Sequence, residues 1–236
     1  MKTDQIPIFR LQCCLILLLV SLSACGQSLN DPFTETEQAK ANEDYTPSDM
    51  MTALDQILLW HQTNQTGLDA LLNPGTEATA IDDEFSELPC QPTEELIQLW
   101  TWRNGTQAAS TPFIWYHNFL SVEDALMEYQ RLTGNPLIGW RENWIPVFTF
   151  EGEWYFVVCF EENQPASTVG YYSLEGTEAI YAYTSLTKML QTAAELFAQK
   201  AVIWDVDNEG MSEDMKAVYE IHQRLNEGAQ FPYYVD

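Results

Sequence analysis

From Trp144 to Tyr183 the chain abandons helical spacing for short runs of aromatic and β-branched residues, and this block dictates the class of fold. Trp144 to Phe150 and Trp154 to Phe160 flank Glu151-Gly152-Glu153, while Thr168 to Tyr172 and Glu178 to Tyr183 flank Glu175-Gly176. Runs of this composition joined by short glycine-containing turns read as β-hairpins. Their strands must be antiparallel, because a parallel pair needs a crossover of a dozen or more residues.

Helical signals lie on both sides of this block. Thr46-Pro47-Ser48-Asp49 opens a helix that carries Met51, Leu54, Leu58 and His61 on one side, with Thr46 as cap and Pro47 in the first turn. Thr93-Glu94-Glu95 opens a second, with Leu96, Leu99 and Trp100, which is expected to stop at Asn104-Gly105 because Gly105 supplies a left-handed residue. Ser121-Val122-Glu123-Asp124 opens a third that buries Val122, Ala125, Leu126 and Tyr129. After the strands, Ser185 begins a helix with Leu186, Met189, Leu190, Ala193 and Phe197 at helical spacing, and Ser212 is expected to cap a last one. The expected fold is α+β: one domain with a largely antiparallel sheet of about five to six strands, and helices before and after it packed mainly on one side.

The chain is strongly acidic, with 35 Asp+Glu against 10 Lys+Arg and a formal net charge of −25. Nucleic acid is excluded as a direct ligand, since a phosphate backbone is bound by neutralising it with Lys and Arg. Acidity here does not mean disorder. A chain that is 46% hydrophobic, with 8 Trp, 11 Tyr and 11 Phe, has ample apolar surface to bury. The excess of carboxylates confers solubility, and it also fits steering of a basic partner.

The N-terminus points to export. Lys2 and Arg10 precede eight uninterrupted apolar residues from Cys13 to Val20, far short of the ~20 that a membrane-spanning helix needs. The run ends in Leu22-Ser23-Ala24-Cys25, which resembles the lipobox of bacterial lipoproteins. That resemblance implies lipidation at Cys25 and cleavage before it. Residues 1–24 are then a signal peptide, residues 25–45 a polar, acidic tether without apolar period, and residues 46–236 the folded domain. Cys90 and Cys159 remain, in a compartment that permits disulfides, either bridged or as two buried thiols.

The order of elements, with certain words at its joints, resembles the SUKH superfamily of Smi/Knr-type proteins, which includes fungal cell-wall-synthesis regulators and bacterial immunity proteins. The words are Leu88-Pro89 before a helix closing on Trp102-Arg103-Asn104-Gly105, Trp144-Ile145-Pro146-Val147 opening a strand, Ala182-Tyr183-Thr184-Ser185-Leu186, and Leu225-Asn226-Glu227-Gly228. Together they span roughly residues 75–230. The resemblance implies a SUKH-like domain and a non-catalytic role in binding another protein.

The candidate partner-binding residues are Trp102, Asn104, Trp140, Arg141 and Trp144. Trp102 falls off the apolar stripe of its helix, so it meets a second layer or serves as a contact residue. Trp140-Arg141-Glu142-Asn143-Trp144 puts two indoles and a guanidinium at the approach to a strand, a mixture that suits protein recognition and equally a Trp pair packed on the sheet edge. Asp205-Val206-Asp207-Asn208-Glu209-Gly210 resembles the start of a calcium loop, but Lys216 stands where the pattern requires a bidentate glutamate, so it reads as an acidic turn.

Catalytic motifs are missing from the sequence: no Gly-x-Ser-x-Gly, no His-Glu-x-x-His and no Walker-type glycine loop. His61 and His222 sit on apolar helix faces, and His117 follows the short apolar segment Phe113 to Tyr116. The expected protein is not an enzyme and needs no cofactor, metal or small-molecule substrate. It is lipid-anchored to the cell envelope through Cys25 and binds another protein, with toxin immunity and a basic toxin as the leading expectation. A cell-envelope scaffold is the alternative, and a wall-polymer hydrolase working through carboxylates such as Glu151 and Glu153 the remaining one.

Overall fold

A computed structural model describes residues 35–107, 111–176, 178–208 and 210–233, all of which fall within one compact unit, Pro32–Asp236. The expected signal peptide and Cys25 lie outside the described residues. In chain order the elements are α1 (Glu35–Asp44), α2 (Pro47–Thr63), α3 (Leu68–Leu71), β1 (Leu72–Pro74), α4 (Ala78–Phe85), α5 (Glu94–Trp102), β2 (Arg103–Thr106), β3 (Asn118–Phe119) and α6 (Val122–Thr133). They continue with β4 (Trp144–Phe150), β5 (Glu153–Val158), β6 (Val169–Ser173), β7 (Ile180–Tyr183), α7 (Leu186–Ala198), β8 (Val202–Asp205), β9 (Gly210–Glu213) and α8 (Met215–Leu225). The protein is α+β, as its hairpin block requires.

Strands β3 to β7 form a five-stranded antiparallel meander in sequence order, and both sequence hairpins are present in it. Alternation along β5 divides the core in two. Tyr155 and Val157 join Val169, Tyr171 and Tyr183 on the face that packs with buried residues of α2, α5 and α7. Trp154, Phe156 and Val158 point the other way, where Trp144, Tyr172, Trp140 and Leu132 close a smaller aromatic core. The second face is thus covered by the end of α6 and the segment after it. Gly170 permits this packing, because a Cβ there would stand 2.2 Å from the Phe156 ring.

Capping follows the sequence at three helices. The Thr93 hydroxyl accepts from the Leu96 N–H at 3.3 Å, Ser121 from Asp124 at 3.0 Å and Ser185 from Lys188 at 3.0 Å. Thr46 occupies the cap position of α2 without a side-chain bond. The buried stripe of α2 is Met50, Ala53, Leu54, Ile57 and His61, turned about one residue from the expected side.

Several expectations need correcting. Residues 35–44, expected within the tether, form α1 and dock on the domain. Gln38 Nε2 donates to the Ala166 carbonyl at 2.7 Å, Lys40 Nζ to the Glu227 carbonyl at 3.0 Å, and Ala41 is fully buried. Polar side chains bonding to main-chain groups hold this helix, so an apolar period was never going to announce it. Ser212 caps nothing, since it sits in β9; the Asp214 carboxylate accepts from the Ala217 N–H at 3.1 Å and starts α8. The acidic turn from Asp205 to Gly210 joins β8 to β9 instead of leading into a helix.

Gly105 also has a different job. The helix α5 stops at Trp102, and Gly105 lies in β2 with φ +74°, where a Cβ would come within 2.2 Å of the Ser121 amide nitrogen. Both the left-handed backbone and the close approach demand glycine. Gly105→Ala is expected to cost at least ~2 kcal/mol and to lower the thermal midpoint by about 4–8 °C, measured by circular dichroism against wild type. An unchanged midpoint would show that α6 can move away from β2.

Candidate functional site

Cys90 and Cys159 are joined in a disulfide, with Cα atoms 5.5 Å apart. The bridge ties the segment before α5 to the end of β5, and next to it the Gln91 N–H donates to the Phe160 carbonyl at 2.7 Å. Beside the bridge opens a cleft of about 580 Å³, lined in part by Pro89, Trp140, Arg141, Glu142, Asn143 and Glu161. It is walled by the disulfide and floored by indole. Its rim is polar, with Arg141 half-buried and Glu142 and Glu161 exposed.

Trp140 and Trp144 are buried, at 8% and 3% exposure, so neither is the surface contact that the sequence expectation assigned them. The Trp140 indole donates to the Trp144 carbonyl at 2.9 Å, and its ring meets Trp144, Trp154, Phe156 and Tyr172 edge-to-face. Such aromatic clusters fix side-chain orientation as well as burying area. The Arg141 guanidinium lies 5.2 Å from the centre of the Trp144 ring. A guanidinium over an aromatic face is attracted by the ring, so Trp144 helps to hold Arg141 at the cleft.

The other two candidates lie elsewhere. Asn104 is a brace: its Oδ1 accepts from the Val122 N–H at 2.8 Å and its Nδ2 donates to Glu123 Oε2 at 3.1 Å, which closes the N-terminus of α6. Trp102 is half-buried, packs edge-on against Phe113 at 6.0 Å, and carries the Arg103 guanidinium 5.4 Å over its ring. It therefore meets the second layer that the sequence left open. Of the five, the cleft gathers Trp140 and Arg141 with Trp144 beneath them, while Trp102 and Asn104 belong to the β2 corner.

The histidines are held neutral by burial. His61 Nε2 donates to the Phe113 carbonyl at 3.0 Å and its Nδ1 pairs with the Thr66 hydroxyl at 2.8 Å; burial lowers its pKa to about 4. His222 Nε2 donates to the Ala182 carbonyl at 2.7 Å, and burial again lowers its pKa. His117 is fully buried against Tyr155, at 4.7 Å between ring centres, with Nε2 3.7 Å from Glu153 Oε2, and burial pushes its pKa down to about 3. Glu153 itself is shifted up by burial, whereas Glu151 is exposed in the turn before it.

One carboxylate escaped the sequence reading. Glu95 is completely buried and accepts three main-chain N–H bonds, from Thr187 at 2.8 Å, Leu186 at 3.2 Å and Ser167 at 3.3 Å. It caps α7 from another helix, satisfying donors that every helix leaves open at its start. Burial raises its pKa to about 7 despite these donors. Its spacing four residues before Leu99, on the apolar stripe, was the available signal.

No family model matches this chain, and no curated protein matches it. Among the described residues no helix is long and apolar enough to cross a membrane.

Proposed function

We propose that this protein is an exported, lipid-anchored module that binds another protein without transforming it, in the manner of an immunity protein. The observation that carries the reading is the Cys90–Cys159 bridge standing beside a cleft lined by an arginine that stacks on Trp144. Disulfides persist in oxidising compartments, which agrees with export through the leader that ends at Cys25. The element order, helices on both sides of a five-stranded antiparallel meander, agrees with the SUKH-like domain that the sequence resembles.

The cleft supplies the parts of a small recognition site. Arg141 brings a positive charge to the cleft that suits an acidic group of a partner, while Glu142 and Glu161 at the rim favour basic side chains around it. The buried ionisable groups have structural work in hand, since Glu95 caps α7 and two of the histidines bond to carbonyls. With a net charge of −25, encounter with a basic toxin is accelerated, and anchoring through Cys25 raises the local concentration of the binder at the membrane.

Full-length wild type and Arg141→Glu, used as baits in envelope extracts of cells challenged with a basic toxin, test this. Wild type is expected to retain a protein that the variant recovers at least tenfold less, with association slowing as salt rises. Equal recovery by both baits would remove the cleft as the site.

A further inference from the structure

A second surface lies along the seam of α2 and α7, and it shares no residue with the Arg141 cleft. Two adjoining depressions, of about 270 and 370 Å³, have Gln56 and Glu195 in common and so form one groove. At one end stand Asp49, Thr52, Gln191 and Arg224; at the other stand Leu59, Trp60, Phe197 and Ala198. The wall residues of α2 recur every three or four positions from Asp49 to Thr63, a straight stripe about 21 Å long. That length seats about four turns of a helix.

The apolar end is built as a platform. Trp60 stacks on Phe197 with ring centres 3.9 Å apart and planes within 7°, and Leu59 beside it is 60% exposed. A large apolar side chain left in water next to a flat aromatic pair marks a contact surface more often than a lone exposed leucine does. The polar end is anionic at its mouth. Arg224 already bridges Glu195 at 3.1 Å, and Asp49 is the exposed carboxylate there.

Charge selects the occupant. A second copy of this chain would bring −25 against −25, and anionic lipid or nucleic acid would be repelled in the same way. A cationic, amphipathic segment is attracted by the same field, and a helix of that kind matches both the length and the polarity of the groove. We propose that the α2–α7 groove seats an amphipathic basic helix of another protein. Its apolar side chains cover Leu59, Trp60 and Phe197, and a Lys or Arg reaches Asp49.

This goes beyond the reading of the cleft and can fail separately, because Arg141→Glu leaves the groove intact. The probe is a synthetic amphipathic helix of about 18 residues made of leucine and lysine, added to the full-length, nitrogen-15-labelled protein while the indole N–H resonances are followed. The Trp60 indole, assigned with Trp60→Phe, is expected to shift on titration while those of Trp102 and Trp140 stay in place. Leu59→Glu is expected to weaken binding at least tenfold and Asp49→Lys about threefold to fivefold, and neither residue is buried. The same peptide with glutamate replacing lysine is expected not to bind. Shifts centred away from Trp60, equal affinity in Leu59→Glu, equal binding of the acidic peptide, self-association through the groove in sedimentation, or binding of anionic vesicles through it would each overturn the proposal.

Discussion

Replacing Cys90 and Cys159 together with serine is expected to lower stability by about 4 kcal/mol, a fall in thermal midpoint of about 8–16 °C. The bridge spans 69 residues of sequence, and cross-linking so long a loop removes much freedom from the unfolded chain. Thermal unfolding of wild type with and without a thiol reductant, beside the double variant, measures it. Reduced wild type should coincide with the variant. The bridge also holds the Pro89–Gln91 segment against Phe160, so the cleft should loosen on reduction before the five-stranded sheet melts. A midpoint that does not move would mean that the Gln91–Phe160 pairing and the packing of α5 suffice to hold the segment.

Glu95→Ala is expected to cost about 3 kcal/mol or more, lowering the midpoint by about 6–12 °C, because three buried N–H groups lose their acceptor at once. The pH dependence of stability provides a sharper readout. The Glu95 carboxyl has its folded-state pKa raised from 4.5 to about 7 by burial. Between those values the folded protein holds a proton that the unfolded chain has released. The contribution is therefore fully present below pH 4.5 and is lost as pH rises through about 7. Other carboxylates titrate in the same range, so the comparison is with Glu95→Gln, which cannot ionise. Denaturant unfolding from pH 5 to 8 should show wild type losing stability relative to Glu95→Gln as pH rises. Parallel curves would place the proton elsewhere.

The β-block was legible because its runs are rich in aromatic and β-branched residues and bounded by short glycine turns, and the sheet delivers both hairpins where Gly152 and Gly176 stand. Caps at Thr93, Ser121 and Ser185 were legible for a similarly local reason, since a hydroxyl three residues before an N–H needs no distant partner. The candidate site was legible in composition and misjudged in exposure. Trp140 and Trp144 look like contact residues in a list of neighbours, but Trp154 and Tyr172, ten and more residues further on, decide that both are covered.

What the sequence determined by itself is whatever depends on a few consecutive residues: the strands and their turns, three helix caps, the antiparallel class and the acidic field. The tertiary structure alone decided the docking of α1, the capping of α7 by Glu95, the need for glycine at position 105, and the burial of Trp140 and Trp144. The first three of these features join residues 16 to more than 120 positions apart. Local propensity carries no record of such partners, because the free energy that fixes them comes from desolvation and from donors matched across the fold.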